Sequence, residues 1–149
     1  WVFHCGPPAS TSERWCRTEE DATPVFQYEK MVGENLVTYN AATGRYIFAN
    51  YGFYDGENDE PRSWFSPTVD GRRWSQLTLF ESAHAWGPWS LVYLEDDWRG
   101  DDAGYTPTIP SAWLTRSGDE LRGVMVHSGW WDDYNFAAQP FVLFIPSQT

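Results

Sequence analysis

At 149 residues the chain is long enough to bury one real core, and 18% of it is aromatic, with 10 tryptophans. Its net charge of −11 leaves no basic stripe for nucleic acid or an anionic membrane, and no run reads as a membrane-spanning helix. So many tryptophans exceed the needs of one small core. Flat rings with polar rims suit the C–H faces of sugars, while the plainer use is to fill the space between sheets.

In chain order, the sequence opens on Trp1 rather than Met, which reads as a processed or truncated product. Trp1 to His4 is a short apolar run at the end of a strand. A polar, Pro-rich loop runs from Gly6 to Arg17. Cys5 and Cys16 are expected to form a disulfide across this short loop, two unpaired thiols being the alternative. No Cys-x-x-Cys or Cys/His cluster marks a zinc site. Thr18 to Ala22 is turn-like, and Pro24 to Tyr28 reads as a short strand. Leu36 to Asn40, a turn at Ala41 to Gly44, and Arg45 to Phe53 form a β-hairpin. The second strand is almost continuously apolar, which predicts burial of both faces.

Asp55 to Arg73 is the longest loop. Leu77 to Phe80 and Leu91 to Leu94 are strands flanking a corner, Glu81 to Trp89, where Gly87-Pro88 forbids a helix. Asp96 to Gly104 is an acidic loop. Tyr105 to Trp113 is extended, Arg116 to Asp119 is a turn, and Leu121 to Ser128 is a strand. Gly129 to Asn135 is a polar-aromatic loop, and Phe136 to Ile145 is the last strand. No segment predicts a helix. Leu36 to Phe53 and Tyr105 to Ser128 repeat one strand–turn–strand plan, with Gly44 and Gly118 at matching turns. This all-β repeat suits four-stranded propeller blades, and a sandwich would also supply many short strands.

LVTYNAATGRYIFANYGF, LTLFESAHAWGPWSLVY and YTPTIPSAWLTRSGDELRGVMVHSG resemble consecutive blade segments of five-bladed, glycoside-hydrolase-like β-propellers. Gly87-Pro88-Trp89, after a strand and Glu81-Ser82, resembles the third-to-fourth strand corner of blades in arabinanase- and fructosidase-type enzymes. The resemblance covers Trp1 to Ile145 and is to the C-terminal part of such secreted proteins. It implies about two four-stranded antiparallel blades, residues 29–98 and 99–149, with 1–28 ending a preceding blade. Five blades at about 40–50 residues each need roughly twice this length. Open sheet edges then imply that other chains, or more of the same protein, complete the ring.

The implied function is carbohydrate-active: part of a secreted glycoside hydrolase acting on a poly- or oligosaccharide. The alternatives are a non-catalytic carbohydrate-binding propeller and a structural or assembly module. Hydrolysis needs two carboxyl groups about one bond. In the resembled propellers these face the central channel, which points to Glu34 and Asp102 at equivalent repeat positions. Glu81 is a third candidate acid, because aromatic walls around its corner would disfavour its charged form. Trp130, Trp131, Asp132 and Asp133 combine stacking surfaces with hydroxyl acceptors. Tyr105 and His127 join them as substrate-binding candidates, although a satisfied buried histidine is the plainer role for His127. Each of these carboxylates has an ordinary solvated role as its alternative. Two acidic clusters, Asp55/Glu57/Asp59 and Glu95/Asp96/Asp97/Asp101/Asp102, raise calcium against simple solvation. Glu60 stands where a calcium-hand loop needs glycine, so no cofactor or metal is assigned.

Overall fold

The computed structural model describes residues 1–6, 14–28, 32–33, 36–55, 60–61, 74–98, 104–129 and 135–145. Among these, every element longer than three residues is a β-strand, and none is a helix long and apolar enough to cross a membrane. The repeated pattern becomes two antiparallel meanders. In the first, β3 (Leu36–Asn40), β4 (Arg45–Asp55), β6 (Trp74–Ser82) and β7 (Ser90–Glu95) lie in that order, with the short β5 (Glu60–Pro61) on the end of β4. In the second, β8 (Gly104–Thr108) and β9 (Thr115–Ser117) both pair with one side of β10 (Glu120–Gly129), and β11 (Phe136–Phe144) pairs with the other. The second sheet therefore has four strands, two of them sharing one side of β10.

The hairpin at Leu36 to Phe53 forms at the expected register, with Asn40 opposite Arg45. Its turn glycine Gly44 and the matching Gly118 have φ of +67° and +61°, the left-handed conformation that disfavours a side chain. The continuous apolar character of β4 is explained by burial on both sides from Ile47 to Gly52. One face, Ile47, Ala49 and Tyr51 with Leu77 and Leu79 of β6, meets Leu121 and Met125 of β10. Trp98, Ile109 and Leu114 complete this shared core, flanked by Tyr105, Phe141, Leu143 and Ile145. Each fully buried large side chain contributes about 1.5–3 kcal/mol. The Thr38 hydroxyl, on the edge strand β3, donates to the Ile109 carbonyl at 2.7 Å and ties the two sheets together.

The opposite face of β4 and β6 presents Phe48 and Phe80. Phe26 covers both edge-on, with ring centres 4.6 and 4.8 Å away, and Trp89 covers Phe48. Pro24 to Tyr28, expected as a strand, joins no sheet. Its aromatic side chains pack on Phe48 and Phe80.

A two-stranded ribbon, β1 (Phe3–His4) with β2 (Trp15–Cys16), lies beyond the sheets. The expected disulfide is not formed: Cys5 and Cys16 are free thiols. Cys16 opposes Phe3, while the Cys5 N–H bonds to the Arg14 carbonyl at 3.0 Å. The cysteines are therefore diagonal neighbours on one face, with the Cys5 side chain beside the Cys16 thiol.

Candidate functional site

Where β7 ends, the chain crosses toward the second sheet through Trp98. Its indole is 1% exposed and is held from three directions. The Trp98 N–H donates to the Ser75 carbonyl at 2.8 Å, and the Ser75 hydroxyl donates to the Trp98 carbonyl at 2.6 Å. Trp98 Nε1 donates to Gln139 Oε1 of β11 at 3.3 Å. The Ser75 oxygen also accepts the Gly104 N–H at 3.0 Å, so one buried hydroxyl holds both ends of the crossing. Gly104 is required there, because a Cβ would lie 2.7 Å from the Trp98 ring.

His127 meets Trp98 edge to face, with ring centres 4.9 Å apart. It points to the core side of β10 with Leu121 and Met125, is 1% exposed, and has Nδ1 3.4 Å from the Ser128 carbonyl oxygen. On the neighbouring strand, Val126 pairs with Thr108 and Ser128 with Tyr105, so Thr106 and Pro107 share the place opposite His127. This is a β-bulge, and Thr106 takes φ of +48°, a costly conformation for a β-branched residue. Bulges and such strain concentrate where a strand must re-aim a side chain.

Glu95, Trp98, His127, Ala137, Ala138, Gln139 and Pro140 line a cleft of about 350 Å³ between the end of β7 and the β10–β11 pair. That size lies at the small end of ligand sites. Among the described residues that line it, Glu95 is the only carboxylate, and that group also accepts the Tyr93 hydroxyl at 2.9 Å. Desolvation first, and then the Glu95 carboxylate, raise the Tyr93 phenol above its ordinary range. On the opposite face of β6, where Tyr28 packs on Phe80, Tyr28 donates to Gln76 and Gln76 donates to Asp96, at 3.3 and 2.6 Å. The chemistry on offer is hydrogen bonding by a carboxylate, an amide and an imidazole against an Ala–Pro wall.

The structure separates the expected site residues. His127 reaches the cleft. Tyr105 packs beside the shared core, with its ring 6.4 Å from that of Tyr51. Glu81 belongs to β6 rather than to the corner after it, and strand alternation turns it away from Phe80 and Trp89. In place of aromatic walls it has Arg45, whose guanidinium lies 3.0 Å from its carboxylate. Glu34, Asp102, Trp130, Trp131, Asp132 and Asp133 lie outside the described residues, as do Glu57, Asp59 and Asp101 of the acidic clusters. Among the described residues, no three His, Cys, Asp or Glu side chains converge as metal ligands.

Sequence reasoning missed Glu95, Trp98 and Gln139 as cleft residues. Glu95 was grouped with the acidic loop, and Gln139 occupies an inward position of a strand whose alternation predicts only burial. The one available signal was a polar residue on the core face of β11.

The second aromatic corner is of another kind. Trp86 stacks on His84 and on His4, with ring centres 5.2 and 6.0 Å apart, and Trp15 meets it edge-on. Both His4 ring nitrogens and the Nε1 atoms of Trp86 and Trp89 are buried without hydrogen-bond partners among the described residues. No family model matches the chain, no curated protein matches its sequence, and no solved structure matches its fold.

Proposed function

We infer that this chain is carbohydrate-active and that the cleft beside Trp98 binds a saccharide unit. The observation that carries the reading is the lining itself: Glu95, Gln139 and His127 set against Ala138 and Pro140. Polar groups that can bond ring hydroxyls, beside a small apolar wall for C–H groups, suit an uncharged sugar. A carboxylate in a chain of net charge −11 disfavours an anionic one.

Binding without hydrolysis is the form the geometry supports best. Glycosidic cleavage needs a second carboxyl group across the bond, and the described residues of the cleft offer Glu95 alone. A hydrolase reading rests on Glu34 and Asp102 and keeps its place only if their substitution abolishes cleavage. The two meanders, stacked with β3 and β8 near each other, fit blades of a propeller in a secreted protein. Other chains, or further sheets of the same protein, would complete it.

Glycan-array screening followed by calorimetry tests the proposal. A neutral glycan should bind the wild type, and Glu95→Gln or Gln139→Ala should weaken it at least about tenfold, equivalent to about 1.4 kcal/mol, with circular dichroism unchanged. If no glycan binds, or if both folded variants bind as well as wild type, the site assignment fails. Release of reducing ends by the wild type, lost in Glu34→Gln and Asp102→Asn, would select the hydrolase.

A further inference from the structure

Strand alternation in β11 turns Ala137, Gln139, Phe141 and Leu143 inward and leaves Phe136, Ala138, Pro140, Val142 and Phe144 outward. Both outward phenylalanines are 75% exposed and Val142 is 50% exposed. Single exposed apolar residues are ordinary, but five in one continuous strip form an interaction surface. None of the five carries a charge, in a chain of net charge −11.

The strip has a near-mirror order about Pro140, with a phenylalanine at each end and smaller residues between. A two-fold axis at Pro140 would lay Phe136 of one copy beside the partner's Phe144, the self-complementary arrangement that a symmetric dimer requires. On the same face Glu120 and Arg122 of β10 stand opposite Phe144 and Val142, and the carboxylate beside the strip carries its own cation, Arg122, at 2.6 Å. The strand edge is a poorer contact. Pro140 has no N–H, and in its pair with Val124 its nitrogen must turn away from β10 toward the open edge. Strand-to-strand addition is therefore interrupted at its middle, which favours contact through the face. With each phenylalanine offering on the order of 150 Å², the four of two apposed strips supply about 600 Å², and the Ala, Pro and Val residues between them bring the total toward about 1,000 Å², the lower bound for a specific interface.

We propose that the chain forms a two-fold dimer through the outer face of β11. Ala138 and Pro140 belong both to this strip and to the cleft wall. The partner copy therefore closes over one side of the cleft. The dimer does not rest on the saccharide reading, and its test uses no sugar.

Sedimentation velocity over a wide concentration range should show wild type passing from monomer to dimer. Phe136→Asp combined with Phe144→Asp should remain monomeric throughout, and so should the milder Val142→Lys. Leu94→Asp, on the exposed apolar β7, should dimerise as wild type does. Near-ultraviolet circular dichroism verifies that each variant is folded. A wild type monomeric at every concentration overturns the proposal. So does dimerisation by both folded β11 variants, or its loss in Leu94→Asp alone.

Discussion

Two corners of this protein set a tryptophan against a histidine, and they are built in opposite ways. At the Trp98 corner the indole is almost fully buried, its N–H is bonded to Gln139, and its backbone is bonded to Ser75 in both directions. At the Trp86 corner the indole is half-buried and stacked between His84 and His4, and its buried N–H has no partner among the described residues. The first ring belongs to the core shared by the two sheets. The second holds a short terminal ribbon against a loop. Aromatic content alone cannot separate these roles. The fate of the polar atom on each ring does, because a buried donor left unpaired forfeits stability that a bonded one keeps.

The largest expected effect tests that contrast directly. Trp98→Ala should lower unfolding stability by about 3–5 kcal/mol, as for a large buried aromatic. Trp86→Ala should lower it by roughly 1–2 kcal/mol, as for a half-buried residue. Urea denaturation measures both, and equal losses would break the comparison.

Gly104→Ala comes next. The added methyl meets the Trp98 ring, not a flexible side-chain tip, so a loss of about 1–3 kcal/mol is expected from overpacking. A neutral result would mean that the Trp98 corner yields easily and is not the rigid one.

A smaller, chemical effect belongs to the ribbon at the other corner. Desolvation, followed by the neighbouring Cys5 side chain, pushes the Cys16 thiol up to about 11. Because the thiolate is the nucleophile, iodoacetamide should modify Cys16 more slowly in the native than in the denatured protein near pH 9. The native rate should climb as pH approaches 11. Equal rates would mean that the ribbon opens freely.

The smallest effect is spectroscopic. Glu95→Gln removes the carboxylate that opposes ionisation of Tyr93, so the phenol should titrate at lower pH by ultraviolet absorbance. An unchanged curve would detach Glu95 from Tyr93 and loosen that wall of the cleft.

The sheets were more legible than the site. Leu36 to Asn40, Arg45 to Phe53 and Phe136 to Ile145 announced their strands through β-branched and aromatic runs between turn residues, and Gly44 and Gly118 marked real left-handed turns. Pro24 to Tyr28 carried the same composition and is no strand, because pairing depends on a neighbouring edge that composition does not encode. β6 runs on through Glu81 to Ser82, past the charged residue at which its apolar run ends. Arg45 on the adjoining strand supplies its partner. The bulge opposite His127 was invisible for a similar reason: it is a feature of two strands in register, not of either alone. The cleft itself joins residues from 95 to 140, and no local pattern reports such a meeting.

The Ser75 hydroxyl has a consequence for redesign. It fastens Trp98 and Gly104, the residues on either side of 99–103, to one point of the first sheet. Segments of other lengths and sequences could therefore be spliced between them with the scaffold's registration preserved.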